Sequence, residues 1–154
     1  MAKRMLSEFE SYDLLKQYGV PVPDHVVVKT AAEAGKAAEK IGFPVVMKIY
    51  SPQIVHKSDA CGVIVSIPSK SAAEEAFEKI VKSAKAYNPE AEIKGVIVEQ
   101  QAAPGLELII GGKTDPAFGK VLTFGMGGTL VELMRDVTLR ILPITEETIR
   151  EMIQ

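Results

Sequence analysis

The sequence predicts an α+β fold with mixed or antiparallel sheets, and three kinds of observation carry that expectation. Apolar residues at helical spacing follow serine or threonine caps, and short β-branched runs stand between proline and glycine breaks. The segments come in the order helix, strand, helix, strand, strand, helix, then several strands. A chain of 154 residues is long enough for one good-sized core or two small lobes. One domain over 1–154 is therefore expected, with lobes of about 1–88 and about 89–154 meeting in the Pro89 region.

Taken in order, Ser7-Glu8-Phe9-Glu10 is a capping box, followed by Leu14, Leu15 and Tyr18 at helical spacing and a stop at Gly19. Pro21 and Pro23 break the chain before the β-branched run His25 to Lys29. Thr30 and Glu33 then open a helix that ends near Gly42. Phe43 to Ile49 is a buried strand, Ser51 to Gly62 a polar loop, and Val63 to Ile67 the next strand. Ser71 and Glu74 read as a further capping box for an amphipathic helix running to about Tyr87, closed by Asn88-Pro89. Beyond it, Ile93 to Gln100, Leu106 to Gly111, Val121 to Phe124 and Leu130 to Leu133 read as strands, and Thr145 caps a final helix.

Composition excludes several functions. The net charge of −2 lacks the basic surplus of a nucleic-acid binder. No window approaches the roughly 18–20 apolar residues of a membrane span, and the start shows no signal-peptide core, so a soluble cytoplasmic protein is expected. The single cysteine, Cys61, excludes an internal disulfide and a multi-cysteine metal site.

Three features bear chemistry. Strand alternation sets Lys48 opposite Met47, where it either faces a cleft and holds a phosphate as a point charge or sits on the solvated face of an edge strand. The loop around His56, Lys57, Ser58 and Asp59 offers an imidazole, an ammonium and hydroxyls beside Gly62, which suits gripping or accepting a phosphoryl group; the plainer reading is a surface turn. No second His or Cys stands at metal-ligand spacing. Glu99 and Glu107 flank Pro104-Gly105 and are either acceptors for an amine and ribose hydroxyls, unrelated surface acids, or a glycosidase-like carboxylate pair. The glycine-rich Phe124-Gly125-Met126-Gly127-Gly128-Thr129 permits close backbone approach, yet lacks the spacings of Rossmann and Walker loops.

Together, Phe43-Pro44-Val45-Val46-Met47-Lys48, His56-Lys57-Ser58-Asp59 with Gly62-Val63, Val98-Glu99, and Phe124-Gly125 through Val131-Glu132 with Asp136 and Arg140 resemble the ATP-grasp subunit of ADP-forming acetyl-CoA synthetases, relatives of the succinyl-CoA synthetase β-chain. The resemblance runs from about Leu6 to Pro143 and implies the ATP-grasp fold, two α+β lobes with a nucleotide cleft between them, the C-terminal lobe being incomplete. It implies ATP or ADP and magnesium as cofactors. Lys48, Lys57 and Ser58 would hold phosphates, the strand end Glu99, Gln100 to Ala102 the adenine, and Glu107 the ribose. His56 would relay phosphate from a phosphohistidine on a CoA-binding α-subunit in an α2β2 assembly, making the chain part of an acetate–CoA ligase. Two departures stand out: Cys61-Gly62 replaces the family's Gly-Gly, and the family's magnesium ligands fall on strands expected beyond residue 154. The alternative is a non-catalytic nucleotide-binding or partner-binding module derived from that family.

Overall fold

A computed structural model describes residues 6–128 and 137–154. The chain divides into two compact units, Met1–Ala102 and Ala103–Gln154.

The first unit contains α1 (Glu8–Gln17), β1 (His25–Val28), α2 (Ala31–Ile41), β2 (Val45–Tyr50), β3 (Val63–Ile67), α3 (Lys70–Tyr87) and β4 (Gly95–Gln100). Its strands form one sheet in the order β1-β4-β2-β3, with every neighbouring pair antiparallel. The last strand in sequence therefore inserts at the middle of the sheet. This moves the expected lobe boundary: β4 is bonded to both β1 and β2, so the break between units falls after Ala102 and not near Pro89.

Alternation then separates two faces. Val45, Met47 and Ile49 of β2 and Val96 and Val98 of β4 join Ala34 and Ala38 of α2 and Ala73, Ile80 and Ala84 of α3 in one buried core. Alanines on both helices allow close approach to the sheet. The opposite face carries Val46 and Lys48 of β2 and Ile97 and Glu99 of β4, in the register Lys48↔Ile97 and Val46↔Glu99.

Caps follow the sequence with one correction. Ser7 and Glu10 form the complete capping box of α1, and Thr30 accepts from the Glu33 amide at the start of α2. The α3 cap is Ser69, whose hydroxyl accepts from the Ala72 amide, so Ser71 and Glu74 already lie inside the helix. The shift has a local cause: the serine that leaves strand geometry first, directly after Pro68, takes the cap.

The second unit contains β5 (Leu108–Asp115), β6 (Gly119–Met126), β7 (Val137–Ile141) and α4 (Glu146–Ile153), the strands forming an antiparallel sheet in that order. β5 and β6 both extend past the expected ends, meeting at a turn in which Asp115 Oδ1 accepts from the amides of Ala117 and Phe118. β7 was not expected; the strand expected over Leu130 to Leu133 lies outside the described residues. Thr145 caps α4 as expected, accepting from the Thr148 amide.

Candidate functional site

Lys48 lies on β2, which is flanked by β4 and β3, so it is not an edge-strand lysine. Glu99 sits on the same face one diagonal step away, a separation that a long side chain spans. The Lys48 Nζ lies 2.5 Å from Glu99 Oε1, and Glu99 is only 6% exposed. A carboxylate that deep needs a counter-charge and hydrogen bonds, and it has both: Tyr12 of α1 donates its hydroxyl to Glu99 Oε2 at 3.1 Å.

Glu8, also on α1, completes the cluster. Its Oε1 is 3.0 Å from Lys48 Nζ and its Oε2 is 2.7 Å from Lys57 Nζ, one oxygen to each ammonium. Tyr12 lies within hydrogen-bond distance of Glu8 Oε1 as well, at 3.0 Å. Burial pushes the Glu8 carboxyl upward, but its hydrogen bonds and charge interactions with Lys57 and Lys48 outweigh that and bring its pKa to about 2. Burial lowers Lys48, yet Glu99 and Glu8 outweigh it and raise its pKa above the ordinary lysine value. Tyr12 is raised by burial and by the two carboxylates, so it remains a phenol that donates.

The loop that delivers Lys57 is pinned at both ends. Ile54 and Ala60 are buried in the core, while Gly62 bonds to β2 and to the loop itself: its carbonyl accepts from the Ile49 amide at 2.7 Å and its amide donates to the Lys57 carbonyl at 2.8 Å. A Cβ at Gly62 would stand 2.5 Å from the Ile49 side chain, so only glycine permits this approach. Cys61 adopts φ 48°, the left-handed conformation that glycine tolerates best, so the Cys-for-Gly departure keeps the loop's path at a conformational cost. His56 is exposed, and its ring has no hydrogen-bond partner among the described residues. Ser58 is exposed too; its carbonyl accepts from the Cys61 amide.

At the end of β4, the Gln100 amide donates to the Asp24 carbonyl, and Ala102 is exposed. Gln101, within the strand end expected at the adenine, accepts from the Ser66 amide at 2.7 Å where β3 departs from regular pairing. In the second unit the Gly127 amide donates to the Glu107 carbonyl at 2.7 Å, and a Cβ at Gly127 would lie 3.1 Å from the Glu107 and Leu108 backbone. The glycine-rich segment thus serves a close approach to the Glu107 backbone. Arg140 lies on β7, its guanidinium 4.0 Å from Glu151; Val131, Glu132 and Asp136 lie outside the described residues. Among the described residues no group of His, Cys, Asp and Glu is placed to hold a metal ion, and no helix is long and apolar enough to cross a membrane.

Lys48 and Lys57 therefore converge on one small anion-sized point, and Glu99 is held to the first of them. Tyr12 and the roles of Glu8 and Ile54 are not legible in the sequence. Glu8 and Glu10 were visible only as cap residues, since the lysine partners of Glu8 are 40 and 49 residues away.

A family model for the ATP-grasp domain matches residues 1–154. The chain belongs to the ATP-grasp domain family. This ATP-grasp domain is 49% identical over 146 residues to the β subunit of acetate–CoA ligase [ADP-forming] II of Pyrococcus furiosus, covering 95% of the chain and 62% of that subunit. It is 51% identical over 148 residues to the 4-hydroxybutyrate–CoA ligase [ADP-forming] of Nitrosopumilus maritimus, covering 96% of the chain and 21% of that protein. Among solved structures, the dinucleotide forming acetyl-coenzyme A synthetase 1 of Ca. Korarchaeum cryptofilum, in complex with coenzyme A, Ca-AMPCP and HgCl+, superimposes with a TM-score of 0.91 at 44% identity, over 96% of this chain and 65% of that one. The same synthetase with coenzyme A and Mg-AMPPCP, its phosphohistidine segment pointing towards the nucleotide binding site, matches at a TM-score of 0.78 and 39% identity, over 97% of this chain and 62% of that one. The ATP-grasp domain thus spans less than two thirds of the length of these relatives, and its α+β fold is the one expected from sequence.

Proposed function

We propose that this ATP-grasp domain is the nucleotide-binding part of an ADP-forming acyl-CoA synthetase, an acid–thiol ligase of the acetate–CoA ligase type. It passes phosphate between a phosphohistidine relay and ADP or ATP. The observation that carries this reading is the convergence of Lys48 and Lys57 on one carboxylate, two ammoniums set as a phosphate would need them. The kinship with ADP-forming synthetases supports the choice of reaction.

In this reading a CoA-binding α-subunit, in a cytoplasmic α2β2 assembly, presents a phosphohistidine. A nitrogen of exposed His56 attacks the phosphorus as its bond to the partner histidine breaks. An oxygen of the terminal phosphate of ADP then attacks the same phosphorus, the bond to His56 breaks, and ATP leaves. Charge spreads over the peripheral oxygens in such a loose transfer, so Lys48 and Lys57 act by neutralisation and positioning. Ser58 adds a hydroxyl to the phosphate grip, the strand end Glu99, Gln100 and Ala102 borders the adenine, and Glu107 accepts from the ribose. Magnesium, when bound, would supply further neutralisation of the nucleotide; among the described residues no group of three or more His, Cys, Asp and Glu is placed to hold it.

Isothermal titration with ADP, with magnesium present, tests the binding half: affinity is expected, and Lys48→Ala should weaken it about tenfold or more. Labelled phosphate supplied on the α-subunit should appear on the chain and vanish in His56→Ala. Absence of nucleotide affinity sinks the reading, whereas nucleotide binding without transfer favours a non-catalytic module.

A further inference from the structure

We infer that Glu8 is a resident counter-anion occupying the phosphate subsite of Lys48 and Lys57, and that an incoming phosphate displaces it together with α1. This rests on the proposed nucleotide function and concerns how that same site is gated.

The geometry is that of a substitute ligand. Each Glu8 oxygen engages one ammonium, at 3.0 Å and 2.7 Å, as two non-bridging oxygens of a phosphate would. With Glu8 in place, the two lysines are balanced by Glu8 and Glu99, so the cluster presents no net charge to a phosphate. With Glu8 withdrawn, one positive charge is uncovered.

The two carboxylates differ in how they are held. Glu99 belongs to a strand hydrogen-bonded on both sides and is buried, so its pairing with Lys48 cannot be exchanged without disturbing the sheet. Glu8 belongs to a ten-residue helix with no buried residue. Contacts that tie α1 to the rest of the unit include those of Glu8 and Tyr12 with Lys48, Lys57 and Glu99, and the Phe9 and Tyr12 rings meet His25 edge-on and tilted, with ring centroids 5.1 and 4.5 Å apart. Exchange of Glu8 for a phosphate thus removes the two ion pairs that tie the first turn of the helix to β2 and its loop, while the core beneath, to which α1 contributes no buried residue, is untouched. A cavity of about 510 Å³ lined by Glu8, Tyr50, Ser51, Lys57 and Lys94 opens beside the contact, so an anion reaches Lys57 with a further ammonium along the way.

The proposal is tested on the full chain with two variants and inorganic tripolyphosphate as probe, alongside ADP. Glu8→Gln keeps the shape and removes the competing charge; it should bind tripolyphosphate about fivefold tighter or more than the unaltered chain, equivalent to about 1 kcal/mol. Tyr12→Phe keeps every charge but loses the hydroxyl that tethers Glu8 and Glu99, and should shift affinity in the same direction by less. In the unaltered chain, added tripolyphosphate should accelerate amide exchange over residues 8–17. Equal or weaker binding by Glu8→Gln, failure of that variant to bind tripolyphosphate at all, or ligand-induced protection of residues 8–17 overturns the proposal. Tripolyphosphate binding that tightens in Glu8→Gln with no affinity for ADP leaves the gate standing and overturns the nucleotide reading instead.

Discussion

Glu8 of α1 and Lys48 of β2 show how a few charged side chains gathered over one sheet face give a site its pH behaviour. Glu8 has a folded pKa of about 2 against an ordinary value of 4.5. A carboxylate lowered in this way stabilises the folded state in full above the unfolded value and loses that contribution as pH falls from 4.5 towards 2. Reduced by the solvent that reaches this half-buried carboxylate, the amount is on the order of 1–3 kcal/mol at neutral pH. Lys48, raised by the same partners, adds stability below its unfolded value of 10.5 that is lost as pH rises through its higher folded value. Amide exchange of residues 8–17 followed from pH 6 to 2, and corrected for the pH dependence of exchange in an unfolded chain, should show protection falling below about pH 4.5 while the β2 and β4 amides stay protected. Simultaneous loss of both sets would show that Glu8 secures no helix of its own.

At the scale of elements, the loop between β2 and β3 is the device that brings Lys57 to Lys48. It is polar in composition yet anchored by Ile54 and Ala60, and its closing turn depends on backbone shape at two adjacent residues. Cys61 holds φ 48° with a side chain, whereas Gly62 lies where a Cβ would strike Ile49. Opposite effects are therefore expected in denaturant unfolding. Cys61→Gly should stabilise by about 1 kcal/mol through relief of the left-handed strain, and Gly62→Ala should cost about 1–3 kcal/mol through overpacking. Gly62→Ala should also weaken ADP binding, because the Lys57 carbonyl is bonded to the Gly62 amide. Unchanged unfolding midpoints in both variants would remove the loop's backbone from the account.

For the molecule as a whole, the two units differ in how much core they own. The first buries the aliphatic cluster of β2 and β4 against α2 and α3. In the second, Val121 and Met152 are the buried apolar residues among those described, while Ile110 is 73%, Leu139 56% and Ile141 51% exposed. Small domains are marginal even with a good core. A fragment of residues 1–102 should therefore unfold cooperatively in urea, and one of residues 103–154 should show no cooperative transition. A sharp transition in the latter would mean that its sheet is stabilised by contacts other than apolar burial.

The amino-acid order by itself determined the helices and most strands, because caps, β-branched runs and Gly or Pro breaks act within a few residues: Ser7, Thr30, Thr145 and Gly19 all do what their local chemistry dictates. It also singled out Lys48 and Lys57, since a strand-borne lysine and a polar loop are visible in a short window. Ser69 displaced Ser71 as a cap because neighbouring serines compete on geometry that composition does not record. What only the tertiary structure decided is pairing between distant segments. β4 enters the middle of the first sheet, Glu99 is thereby directed at Lys48, and Glu8 bridges partners 40 and 49 residues away. Ion pairing is set by distance in space, and no periodicity along the chain encodes that distance.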